Sequence, residues 1–181
     1  MSAKLPVKVE DSLIHRLFYP QVPLVLSAEY GGRISAMPVV SYASISDRPP
    51  MVAVACSSMG YTCRLALKAK AFSLSVLHRD HKEAMSQLAT LSGAKLIDKL
   101  RGAGLSHERG RVLNVPVIKG SFATLECKLK ETKRYGDHLL LVGAVKNANA
   151  SKAFTEFWDF DEYKPLLYTG WRNKLTVYPG I

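Results

Sequence analysis

A strict alternation of apolar and polar residues constrains the fold of this chain most. Between Ser121 and Glu131 the apolar residues occupy every second position, as Ala123, Leu125, Cys127 and Leu129, with Thr124, Glu126, Lys128 and Lys130 between them. Only an extended strand sends alternate side chains to opposite faces, so one face is predicted to be core and the other wet. Leu139 to Val145 is apolar throughout and follows the turn Tyr135-Gly136-Asp137. It is therefore predicted to be an antiparallel partner, covered on both faces.

Two adjacent glycines predict a second hairpin. Val22 to Tyr30 and Arg33 to Tyr42 are rich in strand-forming residues and are separated by Gly31-Gly32, which suits a two-residue turn. Further strands are predicted at Met51 to Cys56, Phe72 to Leu77, Leu166 to Thr169 and Trp171 to Val177. The strand pattern has no βαβ rhythm, which favours an antiparallel barrel over a doubly wound sheet.

Several short segments predict peripheral helices. They are Asp11 to Phe18, Cys63 to Ala69, a helix starting at Asp80, Ala94 to Arg101, and an aromatic helix from Thr155 to Tyr163. Leu105 to Asn114 lacks periodicity and is predicted to be an exposed loop. The fold class that follows is mainly β, an antiparallel barrel with a few helices, in one domain spanning residues 1–181.

Composition and charge narrow the function. The longest apolar run is far shorter than the roughly 20 residues of a membrane span and no leader is evident, so a cytoplasmic protein without membrane contact is expected. The three cysteines form no Cys-x-x-Cys pair, and His78, Asp80 and His81 lack a further strong ligand, so no metal is expected. The net charge of +10 is not gathered into a basic run. That distribution favours a small anionic ligand over nucleic acid.

The first candidate site is the loop from Ser57 to Thr62. It offers the hydroxyls of Ser57, Ser58 and Thr62, a flexible Gly60 and the free N–H groups of a following helix start, which together suit a phosphate. Tyr61 lies in the same loop, and Arg64 is placed to add a charged contact. The alternative is that Ser58 or Thr62 only caps the helix.

The second candidate is the segment from Ser35 to Ile45. Its strand-end backbone, around Met37 and Pro38 and next to the pair Pro49-Pro50, suits hydrogen bonding to a planar heteroaromatic ring. The alternative is that Ser41 and Ser44 are ordinary outward-facing strand residues.

The third candidate is Tyr135-Gly136-Asp137-His138. It places an imidazole beside a carboxylate at the mouth of a strand pair, where a histidine is able to orient a substrate. The alternative is plain hairpin chemistry, with His138 a partly exposed strand residue.

In order along the chain, these pieces resemble the flavin-reductase-like family of FMN-binding split barrels. The likeness covers roughly residues 18 to 170. Its motifs are Pro23-Leu24-Val25-Leu26-Ser27, Ser41 to Pro50, Tyr61-Thr62, Ser92-Gly93 with Asp98-Lys99, Leu125-Glu126-Cys127-Lys128, Gly136-Asp137-His138, and Pro165-Leu166-Leu167-Tyr168. The resemblance implies a split antiparallel β-barrel of Greek-key type. The chain departs from the family at Leu100, where a Phe is usual, and near Ile34 to Met37, where an Asn is usual.

The resemblance also implies roles for individual residues. The isoalloxazine ring would be held largely through the backbone of Met37, Pro38, Val39, Val40, Ser41, Cys56 and Ser57, and the phosphate by the loop with Ser57, Ser58, Tyr61, Thr62 and Arg64. The histidine matching His138 would meet the nicotinamide or substrate, which makes it the candidate catalytic residue.

The activity implied is that of an NAD(P)H:flavin oxidoreductase. The cofactor expected is FMN, with FAD as the alternative, and NADH or NADPH is the expected co-substrate. An electron carrier or flavin-storage protein is the alternative function. The family resemblance further implies a homodimer and an oxygenase or other electron-acceptor protein as partner. Trp158, Phe160 and Trp171 are candidates for the interface or the cleft wall, against simple packing in the core.

Overall fold

Most strands of the computed structural model, which describes residues 8–170 and 174–177, pair into one antiparallel sheet. In chain order the strands are β1 (Leu24–Tyr30), β2 (Arg33–Val39), β3 (Tyr42–Asp47), β4 (Pro50–Ser57), β5 (Ala71–Val76), β6 (His107–Arg109), β7 (Pro116–Ile118), β8 (Ala123–Tyr135), β9 (His138–Ala150), β10 (Leu166–Tyr168) and β11 (Leu175–Val177). Seven of them form the sheet, in the order β2-β1-β5-β8-β9-β4-β3. The pairs β6–β7 and β10–β11 stand apart as small ribbons.

The connection between the two edge strands closes this sheet into a barrel. β2 and β3 lie at opposite edges of the sheet, yet only Val40 and Ser41 separate them in the chain. So short a link spans roughly 10 Å when extended, so the edges must approach each other. Ser41 is fixed to the neighbouring strand, because the Ala55 N–H donates to its carbonyl at 2.8 Å. The mainly β, antiparallel split-barrel fold expected from the sequence is thereby confirmed.

Short helices surround the barrel. The α-helices are α1 (Tyr61–Ala69), α2 (Lys82–Thr90) and α3 (Lys99–Gly102), and 3₁₀ helices run over Asp11–Phe18 and Arg79–His81. Helix α1 sends Cys63, Leu65 and Ala66 into the same buried cluster as the barrel interior. A second cluster, with Met85, Leu88 and Leu100, packs α2 and α3 against the outer face of β1 and β2. No helix in the described part of the chain is long and apolar enough to cross a membrane.

The barrel interior is filled by large side chains opposite small ones. Phe72 is fully buried, and a Cβ at Gly143 would come within 2.7 Å of its ring. A glycine at this position of β9 therefore makes room for the aromatic ring of β5. All residues from 139 to 145 are buried or half-buried, as the apolar run predicts.

Glu126 corrects the expectation that its face of β8 is wet. The residue is 1% exposed, because the loop after β6 folds over it. Its carboxylate accepts hydrogen bonds from the N–H groups of Arg111 (2.8 Å), Val112 (2.9 Å) and Leu113 (2.6 Å), and from the Asn147 side chain (2.8 Å). Burial opposes its ionisation, yet these four donors hold the pKa of Glu126 below its usual value. The carboxylate thus fixes the loop to the barrel.

Two predicted helices are wrong or displaced. No helix forms from Thr155 to Tyr163, since Trp158 stacks on Tyr163 with ring centroids 4.1 Å apart and both pack against Phe122 in a chain of turns. The helix expected over Ala94 to Arg101 is α3, which begins only at Lys99, where the side chain of Asp98 caps it by accepting from the Arg101 N–H at 3.0 Å.

The strand predictions fell short in places. β3 was not expected as a separate strand, and Leu105 to Asn114, predicted to be a loop, contains β6. β8 and β9 are longer than predicted and carry their hairpin beyond the core. In the segment predicted as a last strand from Trp171 to Val177, β11 forms, while Trp171 lies outside the described residues.

Candidate functional site

A cleft of about 570 Å³ lies where α1, α2 and the end of β2 meet. Its wall is formed by Tyr19, Pro23, Met37, Pro38, Val40, Met59, Gly60, Tyr61, Thr62, Arg64, Met85, Ser86, Leu88, Ala89, Leu91, Ser92, Gly93, Ala94, Lys99, Tyr168 and Leu175. The volume is that of a small-molecule site, and the lining combines apolar side chains with a comparable amount of polar surface.

The N-terminus of α1 opens into this cleft. Gly60 is the N-cap residue, so no side chain caps the helix, and Gly60, Tyr61 and Thr62 all line the cleft. The first N–H groups of a helix have no partner within it and carry partial positive charge. An uncapped helix start at the wall of a cleft is therefore suited to an anionic group.

The loop before α1 is held in shape by its own contacts. The Gly60 N–H donates to the Ser57 carbonyl at 2.9 Å, and the Arg64 guanidinium donates to the Met59 carbonyl at 2.9 Å. Arg64 therefore ties the first turn of the helix back to the loop. The guanidinium also lies over the Tyr61 ring, 5.7 Å from its centroid, and Arg64 lines the cleft.

A hydrogen bond to a residue of β2 holds the Thr62 side chain in place. Its hydroxyl and that of Ser35 share a hydrogen bond of 2.8 Å, and both residues are buried. Gly93 sits against this pair, since a Cβ there would collide with the Ser35 hydroxyl and come within 3.0 Å of the Tyr61 ring. The absence of a side chain at Gly93 therefore keeps this part of the cleft open.

Lys99 supplies a buried positive charge at the cleft wall. The residue is 5% exposed, and among residues 8–170 and 174–177 its ammonium has no hydrogen-bond or ion-pair partner. Burial lowers the pKa of Lys99. The segment is anchored next to Ser35, because Asp98 forms a bridge with Ile34 and the Ile34 N–H donates to the Ile97 carbonyl at 2.8 Å. Ser35 in turn binds Thr62, so Lys99 and the start of α1 are joined through β2.

The tip of the β8–β9 hairpin lies against the loop before α1. The Ser58 N–H donates to the Asp137 carbonyl at 3.0 Å, and Arg134 donates to the Ser58 hydroxyl at 2.9 Å. His138 pairs with Ser57 across the sheet and is exposed, with Nδ1 2.7 Å from an oxygen of Asp137. The hydrogen bond from His138 and its charge hold the pKa of Asp137 below the usual value.

Comparison with known proteins decides the family. The model of the flavin reductase like domain family matches residues 15–173. The chain belongs to this family. It is 32% identical over 158 residues to an uncharacterized protein of Aeropyrum pernix, of whose length it spans 60%, and 29% identical to the reductase component of 4-hydroxyphenylacetate 3-monooxygenase of Thermus thermophilus, over 86% of this chain and 89% of that one.

A solved structure supports the same fold for the flavin reductase like domain. The FMN-binding protein of Thermus thermophilus, crystallised with 1-cyclohex-2-enone, is 26% identical and superposes with a TM-score of 0.81 over 100% of this chain and 98% of that chain. The split-barrel expectation and the family resemblance drawn from the sequence are both confirmed.

The structure places parts of the first two candidate regions in the cleft wall, and the third, Tyr135 to His138, against the loop before α1. Met37, Pro38, Val40, Tyr61, Thr62 and Arg64 line the cleft. Val39 and Cys56 instead point into the barrel core, and Ser41, Ser57, Ser58 and His138 do not line the cleft in this chain. Ser57, Ser58 and His138 lie together where the β8–β9 hairpin meets the loop, so the roles expected for them stay predictions.

Lys99 is the site residue that sequence reasoning missed. The pair Asp98-Lys99 was part of the family resemblance, yet one lysine among many carries no sign of its burial. The signal present was the neighbouring aspartate in N-cap position, which starts α3 at Lys99 and so fixes the direction of that side chain.

Trp158 packs with Phe122 and Tyr163 in the core rather than in the cleft, while Phe160 is largely exposed.

Proposed function

We propose that this chain binds FMN in the cleft between α1, α2 and β2 and catalyses reduction of the flavin by NADH or NADPH. The observation that carries this proposal is an uncapped helix start and a buried, unpartnered lysine in the wall of one cleft that also presents apolar side chains. Both features call for an anion, and the apolar remainder of the wall suits a planar ring system. The similarity to an FMN-binding protein and to a monooxygenase reductase component supports the choice of FMN over FAD.

The phosphate of FMN is proposed to lie at the start of α1. Backbone N–H groups of Tyr61 and Thr62 would meet it, and the partial positive charge of the helix start favours its charge of about −1.5 to −2. The ammonium of Lys99 gains the counter-charge that the described residues do not provide. Arg64 adds a second cation at the rim while holding the loop through Met59.

The ring is proposed to lie along the end of β2. Met37, Pro38 and Val40 present apolar surface to the cleft, and β2 is an edge strand of the seven-stranded sheet. Backbone groups of the segment from Met37 to Ser41 would hydrogen-bond a heteroaromatic edge, as the family resemblance implies, apart from the Ser41 carbonyl, which already accepts from the Ala55 N–H. Cys56 and Ser57 would support this segment from β4.

FMN, when bound, supplies the capacity to accept hydride from a nicotinamide. The protein would contribute orientation, apolar contact from Met37, Pro38 and Val40, and positive charge. His138 is proposed to orient the incoming nicotinamide, because it is exposed beside the loop before α1 and its ring nitrogen is fixed by Asp137. It touches the loop region without lining the flavin cleft.

Anaerobic stopped-flow mixing tests the activity. We expect NADH or NADPH to bleach the visible absorption of FMN bound to the wild-type protein, and the rate to saturate with nucleotide concentration. Bleaching with neither nucleotide would contradict the reductase proposal and leave an electron carrier.

His138→Ala is expected to slow this bleaching about tenfold. A side chain that transfers a proton contributes roughly 10²–10⁴-fold to the rate, and one that only orients the nicotinamide contributes less. The affinity for FMN should stay within about a factor of two, because His138 lies outside the cleft lining. Lys133→Ala, an exposed change on the same hairpin, is the matched control. An unchanged bleaching rate in the histidine variant would remove His138 from the reaction.

The protein is also proposed to be a homodimer. The 3₁₀ helix Asp11–Phe18 buries none of its residues, and Leu17 and Phe18 are 67% and 69% exposed. Contiguous apolar surface of this kind normally contacts a partner. Light scattering at micromolar concentration is expected to give twice the chain mass of 20.0 kDa, and Leu17→Glu with Phe18→Glu is expected to shift it toward the monomer. A wild-type mass of one chain would contradict the dimer.

We further propose that residues 1–181 form one domain that works in the cytoplasm and passes its electrons to an oxygenase or another acceptor protein. Three cysteines without a Cys-x-x-Cys pair or an even-numbered framework suit a reducing compartment. The relative from Thermus thermophilus, named as a reductase component, suits that partner.

A further inference from the structure

Two cysteines flank the loop before α1 and meet inside the protein. Cys56 lies near the end of β4 and Cys63 in the first turn of α1, and they are 3% and 0% exposed. Their sulfur atoms are 2.7 Å apart. That separation exceeds a disulfide bond by only about 0.7 Å, so the bond requires little movement of either side chain.

We propose that Cys56 and Cys63 are a redox-modification site, a dithiol that a peroxide oxidises to a disulfide and that a small thiol reduces again. The bond would close a ring around the segment from Ser57 to Thr62. The formation of this bond does not depend on the proposed flavin chemistry. Any effect of the disulfide on FMN binding rests on the proposed function, because the loop assigned to the FMN phosphate lies within the closed ring.

The two sulfurs have different chemical roles. Cys56 donates its S–H to Cys63, and this hydrogen bond lowers the pKa of Cys63; burial opposes the effect and Arg64 adds to it, with a net lowering. The same contact raises the pKa of Cys56. Cys63 is therefore the thiolate that attacks, since the thiolate is the nucleophilic form of cysteine.

The reaction balances with hydrogen peroxide as the oxidant. The Cys63 sulfur attacks one peroxide oxygen, the O–O bond breaks, and a sulfenic acid and one water result. The Cys56 sulfur then attacks the Cys63 sulfur, the S–S bond forms, and the sulfenic oxygen leaves as a second water with the proton of Cys56. Two thiols lose two electrons, and the peroxide gains them. Both residues are buried, so a small oxidant such as peroxide reaches them more readily than a bulky one.

Cys127 provides an internal control. It is fully buried, no sulfur partner for it occurs among the described residues, and burial raises its pKa to about 12. It should therefore remain a thiol under conditions that oxidise the pair.

Mass spectrometry after treatment with stoichiometric peroxide tests the proposal. No Lys or Arg lies between Cys56 and Cys63, so trypsin leaves both on one peptide and puts Cys127 on another. We expect the first peptide to become lighter by two hydrogens and to resist alkylation under denaturing conditions, and dithiothreitol to restore alkylation of both cysteines. Sulfoxides of Met37, Met51 and Met59, which share the peptide because trypsin does not cleave at Arg48-Pro49, do not block alkylation and so do not imitate this result.

Cysteine variants test whether the loss of two hydrogens comes from the Cys56–Cys63 pair. Cys127→Ala should still lose two hydrogens on the first peptide, whereas Cys56→Ser and Cys63→Ser should not. The oxidised wild type should also melt higher by about 5 °C, because the closed ring restricts the unfolded chain. Full alkylation of both cysteines after peroxide, or oxidation that dithiothreitol fails to reverse, would overturn the proposal, and the wild-type peptide alone decides this if a serine variant fails to fold.

Discussion

Replacing Lys99 by Met is expected to weaken FMN binding by roughly 10- to 150-fold, which corresponds to about 1.5–3 kcal/mol for a lost hydrogen bond to a charged group. The reason is that this lysine is buried in the cleft wall without a partner among the described residues. Riboflavin, which lacks the phosphate, should lose less than about threefold. Fluorescence titration of both ligands measures the two affinities.

The same substitution should stabilise the ligand-free protein. The Lys99 side chain is buried and burial lowers the pKa of its ammonium, so the charged form costs the ligand-free fold some stability, and Met fills a similar space without charge. Lys99→Met is therefore expected to raise the melting temperature of the apoprotein while it weakens FMN. Lys95→Met, at an exposed lysine of the same segment, is the matched control and should change neither quantity. An unaltered FMN affinity in Lys99→Met would remove the lysine from the phosphate site.

Replacing Glu126 by Ala is expected to lower the free energy of unfolding by about 3–5 kcal/mol, the range for breaking a buried charged network. The substitution leaves the N–H groups of Arg111, Val112 and Leu113 without their acceptor and the side chain of Asn147 without its partner. Urea unfolding measures the change. Glu131→Ala, at an exposed carboxylate of the same strand, should stay within about 0.5 kcal/mol.

The pH dependence of stability provides a second readout for Glu126. Its pKa is lowered in the folded protein, so its contribution is fully present above the unfolded pKa of about 4.3 and is lost as the pH falls through the folded pKa. The wild type should therefore lose stability in acid more steeply than Glu126→Ala. Equal acid slopes, together with a loss below about 1 kcal/mol at neutral pH, would contradict the role of this carboxylate.

Turn-forming glycines and the alternation of apolar and polar residues made parts of the fold predictable. The turn at Gly31-Gly32 requires positive φ at two positions, and both glycines adopt it, at 59° and 73°. The alternation in β8 and the apolar run in β9 describe their faces correctly except at Glu126, because no sequence pattern shows that a loop from elsewhere covers one position. The helix predicted from Thr155 to Tyr163 failed for a related reason, since Trp158 stacks on Tyr163 instead.

The part of the candidate site that is built from a loop and a helix start was predictable from the sequence. The loop from Ser57 to Thr62, followed by a helix, indicated an anion site, and the structure places its end in the cleft wall. Lys99 was not predictable, because its burial depends on the bridge between Asp98 and Ile34, which are far apart in the chain. The closeness of Cys56 and Cys63 likewise depends on how the loop between them folds.

Titration of the wild-type apoprotein with FMN and with riboflavin tests most directly whether the cleft is a flavin site with the phosphate at the start of α1. We expect quenching of flavin fluorescence by a single site per chain, an FMN affinity at least about tenfold above that for riboflavin, and a higher melting temperature at saturating FMN. Absence of quenching and of any thermal shift would contradict the flavin site itself. Equal affinities for the two ligands would contradict the phosphate position.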